Sequence, residues 1–210
     1  MNSIKFIFSL GLGSLLLSLH AQQTYFDGSF QKIVEAEKKA YTKKINPKPS
    51  ASISNYDVKY HRCEWNVDPA VNFIQGKVTT YFKPLTANFD SVLFNLSDTM
   101  KVDSVVYHAH GVLFSHSGNI IRSVLPSIIP LNALDSISVF YHGAPDSTGF
   151  GSFVQGTHSG TPIIWTLSQP YGASDWWPCK NSLTDKADSI DVIVTAPSAY
   201  RAASNGLLVA

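Results

Sequence analysis

The sequence predicts an all-β fold: an antiparallel β-sandwich or curved pair of sheets, preceded by one short helix. Three observations carry this. From Asn55 onward, short runs of β-branched, aromatic and apolar residues recur at regular spacing. Turn signals such as Asp68-Pro69, His110-Gly111 and Ser117-Gly118-Asn119 separate them. No strand alternates with a long segment of helical period, which argues against a doubly wound α/β fold.

The chain opens on a leader-like segment. Lys5 supplies a positive start, residues 6–19 are apolar but broken by Gly11 and Gly13, and Ala21 is a small residue suited to cleavage. The apolar stretch is shorter than the roughly 20 residues that a membrane span needs. Residues 1–21 are therefore expected to be a signal peptide, and the mature chain to be secreted, periplasmic or held at the cell surface without a membrane span. Residues 22–54 follow as a short helix and linker. Phe30, Ile33, Val34, Ala36, Ala40 and Tyr41 fall near helical spacing, and Pro47 and Pro49 end the pattern.

Residues 55–210 form the expected β domain. Residues 55–67 alternate, with Val58 and Tyr60 on one face and His61, Cys63, Trp65 and Val67 on the other. Residues 73–82 make a second strand, with Gly76 read as a bulge or twist point. Short strands are expected at 90–96, 102–108, 112–116, 119–124, 134–141, 163–167 and 189–195, with a last one from Leu207. Residues 147–161 are rich in Gly and Ser and suggest a mobile surface loop. The final strand stops in mid-pattern at Ala210, as though the domain were cut off there.

Charge excludes some functions. The chain has 16 Lys+Arg and 15 Asp+Glu. Loss of Lys5 with the leader leaves the two counts equal, so the basic footprint of a nucleic-acid binder is missing. Cys63 and Cys179 are read as two separate buried thiols, with one disulfide as the alternative open to an exported chain. Seven histidines are present and none is followed by Glu. His108 and His110 share a strand face and His116 could join them, but no acidic partner is evident, so no metal site is assigned. No Gly-x-Ser-x-Gly elbow occurs, and no catalytic residue is assigned. The Asn95-Leu-Ser97 sequon is a minimal match.

One stretch is more specific. Trp165-Thr-Leu-Ser-Gln169-Pro-Tyr-Gly-Ala173-Ser-Asp-Trp176-Trp177-Pro178-Cys179-Lys180 is followed by Asp185-Lys186-Ala187. It resembles the Gln-x-x-x-Ala … Pro-Cys signature in the N-terminal domain of gluzincin zinc aminopeptidases, the family of alanyl aminopeptidase and leukotriene hydrolase. Tyr56-Asp-Val-Lys-Tyr-His-Arg, the Val67-Asp-Pro turn, Ile74-Gln-Gly76-Lys-Val, Tyr141-His-Gly143-x-Pro145 and Asn205-Gly206 extend the resemblance over residues 56–210. The form looks like that of the secreted bacterial branch. Where the family has an acidic residue after the Pro-Cys step, this chain has Asn181.

The resemblance implies a saddle-shaped β domain that forms one wall of a peptide cleft. Gln169 would bind the substrate's N-terminal amine, its amide oxygen accepting an ammonium hydrogen bond. The partner would be the catalytic domain of the same longer chain, which would carry the zinc. This chain lacks His-Glu-x-x-His, so it is expected to bind no zinc and to be inactive alone. Two alternatives are a stand-alone secreted binding module for peptide or glycan, with Trp176 and Trp177 as a stacking platform, and a docking domain of a surface assembly.

Overall fold

The structure is a computed structural model. It describes Val34, Glu35, Lys38 and residues 53–145, 152–168 and 171–209. The leader and Gln169 lie outside the described residues. Val34, Glu35 and Lys38 are helical, within the segment expected to form the short helix.

The molecule is mostly β. A six-stranded sheet joins β1 (Tyr56–Val67), β2 (Ile74–Pro84), β8 (Asp135–Gly143), β4 (Met100–Tyr107), β5 (His110–Gly111) and β11 (Ser189–Thr195), in the order β11-β1-β2-β8-β4-β5. A three-stranded sheet runs β3-β7-β6, from β3 (Phe89–Asn95), β6 (Phe114–Ser117) and β7 (Ile120–Ile129). A hairpin joins β9 (Phe153–His158) to β10 (Thr161–Thr166). Strand alternation builds the core. In β2, Ile74, Val78, Thr80 and Phe82 point inward; in β7, Ile121, Ser123, Leu125 and Ile129 do.

Tyr56 links the two larger sheets. Its ring meets Phe82, Phe89 and Phe94 edge-on, with centroids 5.5, 6.1 and 6.4 Å away. This is the favoured geometry for aromatic quadrupoles. Its hydroxyl donates to the Leu93 carbonyl at 2.6 Å, which satisfies the one polar atom of a fully buried ring.

The structure departs from the sequence reading in six places. Phe153–His158 is a strand, not a mobile loop. It pairs with β10 through a two-residue turn in which Ser159 and Gly160 both have positive φ (49° and 81°), the geometry that matches strand twist in a tight hairpin. Strand β11 runs parallel to β1, from Tyr60↔Ser189 to Asn66↔Thr195, because it arrives through a long connection rather than a hairpin. His110–Gly111 is not the turn; His108 and Ala109 make it at positive φ (46° and 67°). The chain then leaves β5 for β6 in the other sheet, so residues 112–116 are not one strand.

Gly76 is not a bulge, since the β1–β2 register runs through it unbroken. It lies between Trp65 and Tyr141 in the sheet, and a Cβ there would stand 2.8 Å from the Tyr141 ring. Residues 207–209 form no strand, and Leu207, Leu208 and Val209 are 92–94% exposed.

Candidate functional site

The described part of the stretch that carries the resemblance packs along β1, with Trp176 on Trp65, Trp177 beside His61 and Lys180 at Tyr56. Gln169 and Pro170 lie outside the described residues, but the chain on either side is closely defined. The Ser168 carbonyl accepts from the Gly172 N–H at 2.8 Å. The Ser168 hydroxyl accepts from the Trp176 indole N–H at 3.1 Å. A short 3-10 helix, Gly172–Asp175, follows. Ser152, at the start of β9, touches both sides of this turn: its carbonyl accepts from the Leu167 N–H at 3.0 Å, and its hydroxyl donates to Asp175 at 2.7 Å. A Cβ on Gly172 would stand 2.2 Å from the Ser152 hydroxyl. Glycine is thus required there for close approach.

The tryptophans anchor the turn from below. Trp176 is buried, its ring centroid 4.6 Å from Trp65 and 5.6 Å from Phe153. Trp177 stands edge-on to Trp65 and to the His61 ring, at 6.1 and 5.3 Å. Trp176 is thus taken up in the core, while Trp177 packs against it and stays partly buried. His61 accordingly lies in an apolar box, with Thr80 as its hydrogen-bond partner at 3.0 Å, and burial pushes its pKa down to about 4.

The Pro-Cys step is stitched to the end of β3. Asn95 and Cys179 exchange backbone hydrogen bonds of 2.7 and 3.1 Å. Asn181 takes the place expected for an acid and makes three contacts: its N–H donates to the Asn95 side-chain oxygen, its amide donates to Ser174, and its oxygen accepts from the Cys179 thiol. Sequence reasoning missed the adjacent buried ion pair of Lys180 and Asp185, whose side chains are 4% and 13% exposed. Lys180 Nζ also donates to the Tyr56 carbonyl and stands 4.6 Å from the Tyr56 ring centroid. Asp185 accepts from the Val58 N–H. The spacing of Lys180 and Asp185 gave the only sequence hint.

Other candidate groups do not converge on a reaction centre. Cys63 and Cys179 are both free and buried. Burial pushes the Cys63 thiol up to about 12 and raises Cys179 as well, so neither is a nucleophile at neutral pH. The histidines disperse. His108 pairs with Asp135, His142 with Asp103, and His116 with the Leu96 carbonyl and Asp98. Among the described residues, no group of three or more His, Cys, Asp or Glu could hold a metal. The Asn95 side chain is buried and already bonded to Asn181, so the sequon is not an open acceptor.

A groove of about 240 Å³ lies beside the turn. Trp65, Phe153, Trp165, Trp176, Val192 and Val194 line it with the 200–204 segment. It is apolar and carries no catalytic constellation. No helix among the described residues is long and apolar enough to cross a membrane.

No protein-family model matches the chain, and no curated protein matches it. Solved structures do. The M1 zinc metallopeptidase of Deinococcus radiodurans superposes with a TM-score of 0.63 at 21% identity, over 74% of this chain and 36% of that one. A two-domain M1 zinc metallopeptidase bound to L-arginine gives 0.64 at 20% identity, over 74% and 36%. Yeast LTA4 hydrolase gives 0.57 at 14% identity, over 74% and 26%. The chain thus spans about a third of the length of these enzymes or less. At such identities the likeness is one of architecture: this chain carries the fold of the N-terminal domain of M1 zinc metallopeptidases and LTA4 hydrolase.

Proposed function

We propose that this chain is the N-terminal domain of an exported zinc metallo-aminopeptidase, contributing one wall of the cleft in which N-terminal residues are removed from peptides. The observation that carries the reading is a coincidence of two independent features. The fold is that of the corresponding domain in M1 metallopeptidases, and the described part of the sequence stretch that carries the resemblance, Gly172–Cys179, is closely hydrogen-bonded to Ser168, Ser152 and Asn95.

In this reading Gln169 accepts a hydrogen bond from the free α-amine of the peptide. Zinc does not fit the described residues, which supply no ligand set; it belongs to a catalytic domain of the same longer chain. The leader-like residues 1–21 support export of the secreted bacterial type. The isolated chain should bind no stoichiometric zinc and hydrolyse no aminoacyl amide. Equilibrium dialysis with zinc and a p-nitroanilide assay test this, and tight zinc binding with turnover would overturn it.

A second reading has one observation in its favour. The apolar groove with half-exposed Trp165 would suit a stand-alone module that binds an apolar peptide segment. A folded, monomeric product ending at Ala210 that binds such peptides would favour it.

A further inference from the structure

We propose that the groove beside β11 binds the C-terminal end of an extended apolar peptide, and that Arg201 holds the chain-end carboxylate. The inference rests on the groove that favours the second reading above, and it needs no catalytic domain.

Charge gives the first argument. Trp65, Phe153 and Trp165 make an apolar wall, and none of the described residues that line the groove is acidic. Arg201 is the one charged residue among them. It is exposed, and a single terminal nitrogen donates to the Ser198 and Tyr200 carbonyls at 3.0 Å each. Its other two nitrogens make no bond among the described residues. A guanidinium left without a carboxylate beside an apolar groove calls for an apolar ligand that carries an anion. Its planar fork matches a carboxylate in particular.

The strand edge says what body the ligand has. β11 is the last strand of the six-stranded sheet, and its outer side has no ladder partner among the described residues. Such an edge offers backbone N–H and C=O groups to an incoming strand. Val192 and Val194 line the groove, whereas Asp191 and Ile193 do not. A strand added to β11 would likewise set every second side chain over the groove. A hydrocarbon chain could use the apolar wall and Arg201 but not the edge, so a peptide fits better than a fatty acid. The groove, at about 240 Å³, is smaller than the roughly 300–1,000 Å³ of a pocket for a drug-sized ligand. It therefore suits the side chains of a chain end.

The experiment measures binding to the full chain by fluorescence anisotropy. The probe is fluorescein-labelled Gly-Ser-Leu-Thr-Leu, made once with a free C-terminus and once with an amidated one. The free acid is expected to bind about tenfold more tightly, the worth of one charged hydrogen bond. Arg201→Gln should weaken the acid by that factor and leave the amide unchanged, so that the two peptides bind alike. Equal binding of acid and amide to the parent chain would overturn the role of Arg201 and leave the groove as a peptide site. Binding of neither peptide would overturn both the inference and the second reading. Displacement of the peptide by decanoate, with equal affinity and the same dependence on Arg201, would make the occupant a fatty acid and the peptide assignment wrong. Should Arg201→Gln fail to fold, the comparison of acid with amide on the parent chain decides alone. None of these outcomes involves hydrolysis, so the aminopeptidase reading stands or falls separately.

Discussion

Replacing Lys180 with Met should be among the most damaging single changes in this domain. Met keeps most of the buried stem and removes only the charge. The Lys180 side chain is 4% exposed, and its ammonium pairs with Asp185 and donates to the Tyr56 carbonyl at 2.5 Å. Its loss strands a largely buried carboxylate that keeps the Val58 N–H at 3.3 Å and stands beside a second acid, Asp57. Breaking a buried pair in this way costs about 3–5 kcal/mol. For a domain of this size that is a fall in Tm of roughly 10 °C. Urea unfolding followed by circular dichroism would measure it. The double variant Lys180→Met with Asp185→Leu should recover about half of the loss, because no unpaired charge stays buried. A single-variant cost below about 1 kcal/mol, the usual ceiling for a solvent-exposed pair, would refute the reasoning. So would simple additivity in the double variant.

Three further outcomes are expected. His61 has its pKa pushed down to about 4 from an ordinary 6.5, so the folded state stays neutral where the unfolded chain takes up a proton. The stability from keeping it neutral is fully present above pH 6.5 and is lost as pH falls toward 4, about 3 kcal/mol in all; His61→Phe should remove that share of the pH dependence in urea titrations. Gly172→Ala drives a methyl group against Ser152 and should destabilise by about 1–3 kcal/mol in the same assay. Cys63 and Cys179 should resist a thiol reagent in the native protein and react together on unfolding; fast labelling of either in the native state would contradict their burial.

Much of the β architecture was legible in the sequence because the strands are half-buried and alternate. Ser189–Thr195 was read to the residue, and β1, β2, β3, β4 and β8 to within a few residues. Phe153–His158 was missed because it lies inside the Gly/Ser-rich run 147–161, which resembles a loop, and only pairing with β10 makes it a strand. The Ser159-Gly160 step was the available clue, a two-residue turn signal sitting between two short runs. The parallel direction of β11 was not legible, since direction is set by a connection rather than by the strand's own residues. Paired tryptophans bury large areas, and Trp176 and Trp177 do pack against Trp65. The Ser152–Asp175 bond spans 23 residues and leaves no periodic trace in sequence.

The most direct measurement is of the coding frame beyond the Ala210 codon, followed by assay of its complete product. The account predicts that the frame encodes a His-Glu-x-x-His helix and a later Glu, and that the product releases N-terminal amino acids from peptides in a zinc-dependent way. A stop immediately after Ala210, or a continuing chain without zinc ligands, would contradict it.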